Sequence, residues 1–449
     1  MSATIFTRTF PRYFPVNLVV LAATLIVALL AEILQRPALY GVIAAAFAGG
    51  LVLSRENWIG RRSGRIALFL AAGAVFATVA AGGDLIRVAT TAARMSDVII
   101  LILCVALIRP ALAELKLDHA IAAMAARAPR PLRGCAVVLG VVIFGLGLSF
   151  GAVSVFGGSL RGRTSDDAVA ARAAMRGLSL SMLIGPSTAS VAAVMAAYPQ
   201  VGWGEALVIG LPIAFAGVLL GSFGARHLTI SAAPASGAEL ARAILAILAV
   251  PAGAVSLHLA FNVSITLGIS ASAIGVTILL LTCATRGSNA WSRALLRLDV
   301  QIGEAWGQAT AETALFLACG LVLGAMREPT LAEPARLFIA AFLPTGLPGL
   351  LFLTVALPLI TTLGLHPMAL FAILGPVVTP SFLNLSEPCV FQAWIVVIGL
   401  SMVVSPASIL TMTTVSGFGV PANALCLRGN GLYALGLAMI ATCLLFLLS

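Results

Sequence analysis

Charge is what this sequence has least of. Only 9% of its 449 residues are Asp, Glu, Lys or Arg, against about 25% in a typical soluble domain, and that excludes a water-facing surface. Catalytic motifs are missing too. No nucleotide fingerprint, HExxH pair or CxxC pair occurs, and no serine can be matched with a His/Asp partner, so no enzyme of a familiar kind is indicated. No P-loop occurs, so ATP is not the energy source within this chain. The seven cysteines, Cys104, Cys135, Cys283, Cys319, Cys389, Cys426 and Cys443, stand singly and mostly in apolar runs. They read as small buried hydrophobes, which argues against disulfides and metal ligation.

Apolar residues are abundant: 61% of the chain, with a mean hydropathy of +1.10. A helix needs about 20 of them to cross a bilayer. Candidate spans are Val16–Leu34, Ala38–Leu53, Ile66–Gly83, Val98–Ala113, Ala206–Ala225, Leu240–His258, Val263–Ala284, Ala309–Met326 and Gly431–Leu448. Arg8 and Arg12 ahead of Val16 resemble a signal peptide, but the run is long and another follows at once, so it is read as a first helix. No polar stretch between Val16 and Leu448 is large enough to fold separately, which predicts one membrane domain without an extramembrane module.

Two long segments, 170–199 and 390–418, carry central breaks: Gly185-Pro186-Ser187-Thr188-Ala189-Ser190 and Ser405-Pro406-Ala407-Ser408. Proline removes a backbone donor and disfavours helix at the preceding residue. Each segment therefore reads as two half-helices joined by an unwound, hydroxyl-rich stretch, tolerable at membrane depth only where protein or a polar cavity satisfies the freed backbone. Two further stretches fit re-entrant hairpins: 134–160, with Ser149 and Ser154 at its tip, and 349–378, with Gly364-Leu365-His366-Pro367. On that reading only Arg36, Arg87, Arg94, Arg327 and Arg336 of the 26 basic residues face outward. Positive-inside counting then selects about eleven spans plus two hairpins, N-terminus in the cytoplasm and C-terminus outside, in a bacterial inner membrane. The net charge of +10 thus marks orientation, and no nucleic-acid partner is expected.

The chain also repeats itself. Leu146-Gly147-Leu148-Ser149 recurs as Leu363-Gly364-Leu365-His366, Ser181-Met182-Leu183-Ile184-Gly185-Pro186 recurs as Ser401-Met402-Val403-Val404-Ser405-Pro406, and Asp97 before Cys104 is echoed by Glu312 before Cys319. The three matches come in order at nearly one separation, with an odd number of crossings between them, so the halves face opposite ways. The fold class expected is an all-α polytopic membrane protein in two inverted repeats, residues 1–227 and 240–449, joined by a cytoplasmic linker at 228–239. Inverted repeats with paired broken helices place substrate sites near the midplane and work by alternating access.

This layout resembles the ion transporter superfamily, which includes the divalent anion–sodium symporters. In those, each repeat has a re-entrant hairpin followed by a broken helix, with a Ser-Asn-Thr signature. Pro186-Ser187-Thr188-Ala189-Ser190-Val191-Ala192 is similar to the Asn-Thr-Ala-Thr version of that element, and Ser405-Pro406-Ala407-Ser408 would be its partner. The resemblance implies a homodimeric, elevator-type carrier of a small organic anion, with no cofactor and with a proton or sodium as coupling ion. Stretches 117–128 and 335–344 look like the interfacial arms of such carriers, and Trp291–Ala305 reads as a surface helix. The signature asparagine is absent from both breaks and both tips, which favours proton coupling, or sodium coupling weaker than in the resembled symporters.

The substrate-binding candidates are Ser149, Ser154, Pro186, Ser187, Thr188, Ser190, Gly364, His366, Ser405, Pro406 and Ser408. Half-helix N-termini attract anions and loose carbonyls coordinate cations. The competing reading is that these hydroxyls bond within their own helix or permit close helix packing, their substrate-facing role requiring an open cavity. His366, Asp97 and Glu312 are the coupling candidates, against the plainer readings of a turn-capping histidine and two helix N-terminal caps. Asp166 and Asp167 read as solvated loop acids. Two rival functions remain: a cation/proton antiporter of the same superfamily, which needs Asp97 or Glu312, and a membrane enzyme or assembly subunit acting on lipid-linked substrate.

Overall fold

The computed structural model describes residues 15–36, 38–114, 123–231, 236–284 and 290–449. The first of the two interfacial arms therefore lies partly outside the described residues, as does part of the 228–239 linker. Every element of regular structure among the described residues is a helix, apart from one isolated bridge between Thr164 and Ile230. Eleven of these helices are long and apolar enough to cross a membrane. The protein is an all-α polytopic integral membrane protein.

The peripheral helices show why a bilayer is required. Helix α1 (Val16–Ile33) buries only Leu21, Leu25, Ala28 and Ala31, a single stripe at helical spacing. Its other faces present Val20, Ile26 and Ile33 to the outside. Helices α2 (Ala38–Leu53) and α3 (Arg62–Ala80) behave alike, and Phe69 and Phe76 of α3 are 80% and 75% exposed. In water such faces would collapse together; in hydrocarbon they need no partner. Next come α4 (Leu85–Ala93), capped by Asp84, then α5 (Ser96–Ala106) and α6 (Ile108–Glu114), which together trace one bent apolar path.

The first hairpin region is α7 (Arg133–Leu148) and α8 (Gly151–Leu160), turning at Ser149. The first broken segment follows as α9 (Asp167–Ile184) and α10 (Ala189–Ala197). Helices α11 (Trp203–Phe223), α12 (Gly237–Phe261), α13 (Ile265–Ala284) and α14 (Ala290–Ala325) lead to the second half. There α15 (Pro329–Phe342), with no buried residue, bends by 96° into α16 (Gly346–Leu351), a π-helical turn at Phe352–Ala356 and α17 (Leu357–Thr361). After α18 (Pro367–Leu374) comes the second broken segment, α19 (Glu387–Val404) and α20 (Ile409–Phe418), and the chain closes with α21 (Leu427–Leu447).

Helices α9 and α19 form the centre. From Cys389 to Val404 every residue of α19 is buried, and α9 is buried continuously from Met175 to Leu183. Both are wrapped on all sides by protein, the environment a helix break needs.

Four details differ from the sequence reading. The expected surface helix Trp291–Ala305 and the span Ala309–Met326 are one 36-residue helix, α14, because Gly303 and Gly307 weaken a helix without ending it. Helix α2 has 16 residues and is short for a span, whereas Arg130–Leu148 is by itself long enough to cross. Asp166 and Asp167 do more than meet solvent. Asp166 caps α9 through the amides of Ala168 and Val169, and Asp167 accepts from the Gly162 amide and the Thr164 hydroxyl. Arg176, read as an inner-side charge, is buried in α9: it donates to the Asn430 side chain at 2.8 Å and the Gly221 carbonyl at 3.0 Å, and lies over the Tyr433 ring.

Candidate functional site

Both helix breaks fall where the prolines put them. Helix α9 ends at Ile184 and α10 begins at Ala189; α19 ends at Val404 and α20 begins at Ile409. The breaks expose backbone groups that need partners. In the second break Ser408 lies 2.7 Å from the Met402 carbonyl, the one deprived of a helical donor by Pro406. It also caps α20 by accepting from the Thr411 amide at 3.0 Å, while the Thr411 hydroxyl donates to the Ser405 carbonyl at 2.8 Å. In the first break Thr188 caps α10 through the Val191 amide at 3.4 Å. The Leu183 carbonyl accepts from Gln392 Nε2 of α19 at 2.8 Å, so one half repairs the other's break.

Each break is also tied to a hairpin region. Ser187 donates to the Gly145 carbonyl at 2.8 Å, and that carbonyl also accepts from the Ser149 amide. Ser405 donates to the Thr361 carbonyl at 2.9 Å, which also accepts from the Gly364 amide. Ser149 and Gly364, the two turn residues, both have left-handed backbone, at φ of 50° and 95°. Glycine adopts this freely, whereas serine does so at a cost. Ser149 thus shares its backbone handedness with Gly364, whereas the internal match in the sequence set it opposite His366.

Packing then crosses between the halves. Helix α8 lies along α20, with Gly157 so close to Gly417 that a Cβ on Gly157 would meet the Gly417 backbone at 2.7 Å. The Tyr198 hydroxyl, at the end of α10, donates to the Gly375 carbonyl, at the end of α18. The structure thus brings Ser149, Ser187, Thr188, Gly364, Ser405 and Ser408 into one tied assembly. Pro186, Ser187, Thr188, Ser190, Ser405 and Ser408 are all buried; Pro406 is exposed and Ser154 half-buried. The expectation that Ser187 and Ser408 face an open cavity is not met, since both are held inward by backbone bonds.

Some polar atoms in the assembly have no partner among the described residues: Ser190 Oγ, Ser401 Oγ, Gln392 Oε1, Trp394 Nε1 and His366 Nε2. His366 is informative. It is 3% exposed and caps α18, with Nδ1 accepting from the Met368 amide at 3.2 Å. A neutral ring whose Nδ1 accepts must carry its hydrogen on Nε2. That leaves a buried donor available to an oxygen.

The two acids are placed differently. Glu312 lies well inside α14 and not at a helix start, with Oε2 buried and Arg61 near enough to act on it. Asp97 does open α5, and lines a cavity of about 780 Å³ that also takes in Glu32, Tyr40, Arg94 and His258. Sequence reasoning missed Glu32, Tyr40 and Gln392. Glu32 and Gln392 were findable, being polar residues inside otherwise apolar runs.

No family model matches this chain, and no curated protein matches it. Among solved structures it is similar to the Alcanivorax borkumensis YdaH transporter. That similarity has a TM-score of 0.49 and 13% sequence identity, over 92% of this chain and 96% of that one.

Proposed function

We propose that this protein is a secondary active transporter of a small organic anion, working by alternating access. Its site lies between the two turn regions, at Ser149 and Gly364–His366, and the two helix breaks. The observation that carries this reading is the paired tie: in each half, a break serine donates to the carbonyl that precedes a left-handed turn. Two independently broken helices held this way put two half-helix N-termini, of α10 and α20, inside the protein. Such termini carry partial positive charge and free amides, which suit a carboxylate. His366 Nε2 and Ser190 Oγ are further donors without partners.

On this reading the chain is two inverted repeats, with α7–α8 and α16–α18 as re-entrant hairpins, α15 as an interfacial arm, and a homodimer as the working unit. Coupling is to an ion gradient. The thermal stability of purified protein, measured against organic acids with and without sodium and across pH, tests the binding half of the proposal. A carboxylate that raises the melting temperature in wild type and not in His366→Ala supports it. Stabilisation by none of them contradicts it.

A further inference from the structure

The cavity beside α10 is separate from the turns and breaks, and nothing above gives it a role. Five elements supply its charged and titratable lining: Glu32 from α1, Tyr40 from α2, Arg94 just before α5, Asp97 from α5, and His258 near the end of α12; Gln35, Trp203, Asn262, Ser264 and Thr266 add uncharged polar groups. Its remaining wall includes Ala192, Met195 and Ala196 of α10, the half-helix whose N-terminus is the first break.

Asp97 Oδ1 is buried and has no hydrogen-bond donor among the described residues. The Tyr40 hydroxyl lies against both the Asp97 and Glu32 carboxyls, and Glu32 accepts from the Ser264 amide at 2.6 Å. His258 must donate Nδ1–H to the Val263 carbonyl at 2.8 Å, so its neutral ring keeps Nε2 as an acceptor. Arg94 is the one cation on the lining, an exposed group one turn from Asp97, and Arg327 is near enough to oppose it. Helices α10 and α13 contribute no charged side chain to the cavity.

A chamber with two carboxyls, a single exposed arginine and a buried carboxylate oxygen left without a partner is matched by one small donor. We propose that this cavity is the coupling site, and that the Asp97–Glu32 pair, with Tyr40 against both, takes up one exchangeable proton. Two carboxyls on one cavity make a second negative charge there costly, which favours a single shared proton. The proton that Asp97 or Glu32 accepts removes one negative charge from a chamber walled by α10, before an anion reaches the break at the other end of that helix. This rests on the transport reading, which it deepens by naming the coupling ion.

The test does not use transport. Infrared pH titration of the purified protein in lipid bilayers reads the carboxylic C=O band directly. Wild type is expected to show a band that follows pH, lost in Asp97→Asn, shifted in frequency or midpoint in Glu32→Gln, and displaced in midpoint in Tyr40→Phe. Elution as a single folded species qualifies each variant, and Tyr40→Phe keeps both carboxyls should Asp97→Asn fail to fold. A titrating band unchanged in Asp97→Asn, or unmoved in Tyr40→Phe, overturns the site. So does a pair that responds to sodium at constant pH and not to pH itself. If the bands behave as expected and no anion is transported, the proton site stands and the transporter reading falls.

Discussion

The Ser405 hydroxyl donates to the Thr361 carbonyl at 2.9 Å, so the second helix break is tied to the last helical residue before the Gly364 turn. In the first half Ser187 makes the same tie to Gly145 at 2.8 Å. The two serines sit on opposite sides of their prolines, which means that the arrangement is reached by different sequence in each half. A break of this kind is costly unless its backbone is satisfied, and here side chains of the same assembly do it.

Removing a tie is expected to loosen a hairpin region from its break. Ser187→Ala deletes one buried hydrogen bond, while Ser405→Ala deletes its tie and also the bond that its hydroxyl accepts from the Ala407 amide. Each leaves a carbonyl that keeps its amide donor, a loss of about 1 kcal/mol per bond. Thermal unfolding in detergent should register that as a modest drop, and uptake should fall further than stability does. Equal uptake in wild type and both variants would mean that the ties only brace the fold.

Ser149 holds a backbone conformation suited to glycine, at φ of 50° and ψ of −133°. Strain of this type costs about 1 kcal/mol or more and persists where something else uses it. Ser149→Gly should therefore stabilise the protein while impairing anion binding, as read by thermal melts with and without the carboxylate. Gly364→Ala, at φ of 95°, should do the reverse and destabilise. A gain of stability in Ser149→Gly with full activity would remove Ser149 from the site.

Arg176 serves the fold. Its guanidinium reaches three neutral acceptors, Asn430, Gly221 and Gly429, and no carboxylate among the described residues. Lysine lacks the planar fork that makes these contacts together. Arg176→Lys is expected to cost about 2 kcal/mol, the worth of charge-assisted bonds lost from a buried site, and to leave the affinity for the transported anion unchanged. A changed affinity at unchanged stability would place Arg176 on the transport path.

Orientation is tested from each side of the membrane. With α7–α8 re-entrant, Arg163 is cytoplasmic and the 381–388 loop is outside. Single cysteines at these places, on a background without the native seven, should react with an impermeant reagent only from those sides. An external residue 163 would contradict the inverted-repeat reading.

Much of this was legible in the sequence because it depended on local chemistry. Pro186 and Pro406 fix both breaks wherever the chain is packed. That Thr188 and Ser408 cap the half-helices that follow is not part of the sequence reading, in which both are substrate-facing hydroxyls. A helix over the amphipathic stretch 335–344 was visible in the sequence, though α15 begins earlier, at Pro329. What was not legible was tertiary. Nothing local brings Glu32, Tyr40 and Asp97 to one cavity, or sends Gln392 of one half to the Leu183 carbonyl of the other. The sequence match at the turns rested on glycine and leucine, which are common here, whereas backbone handedness is not written in residue type when a serine adopts it, as Ser149 does.

Uptake of small carboxylates by the purified protein in proteoliposomes tests the central claim most directly. An inward proton gradient, with a sodium gradient imposed separately for comparison, should drive accumulation of at least one carboxylate in wild type, with His366→Ala and Ser190→Ala impaired. Failure of every carboxylate to accumulate under either gradient, in protein that remains folded and correctly inserted, would contradict the account.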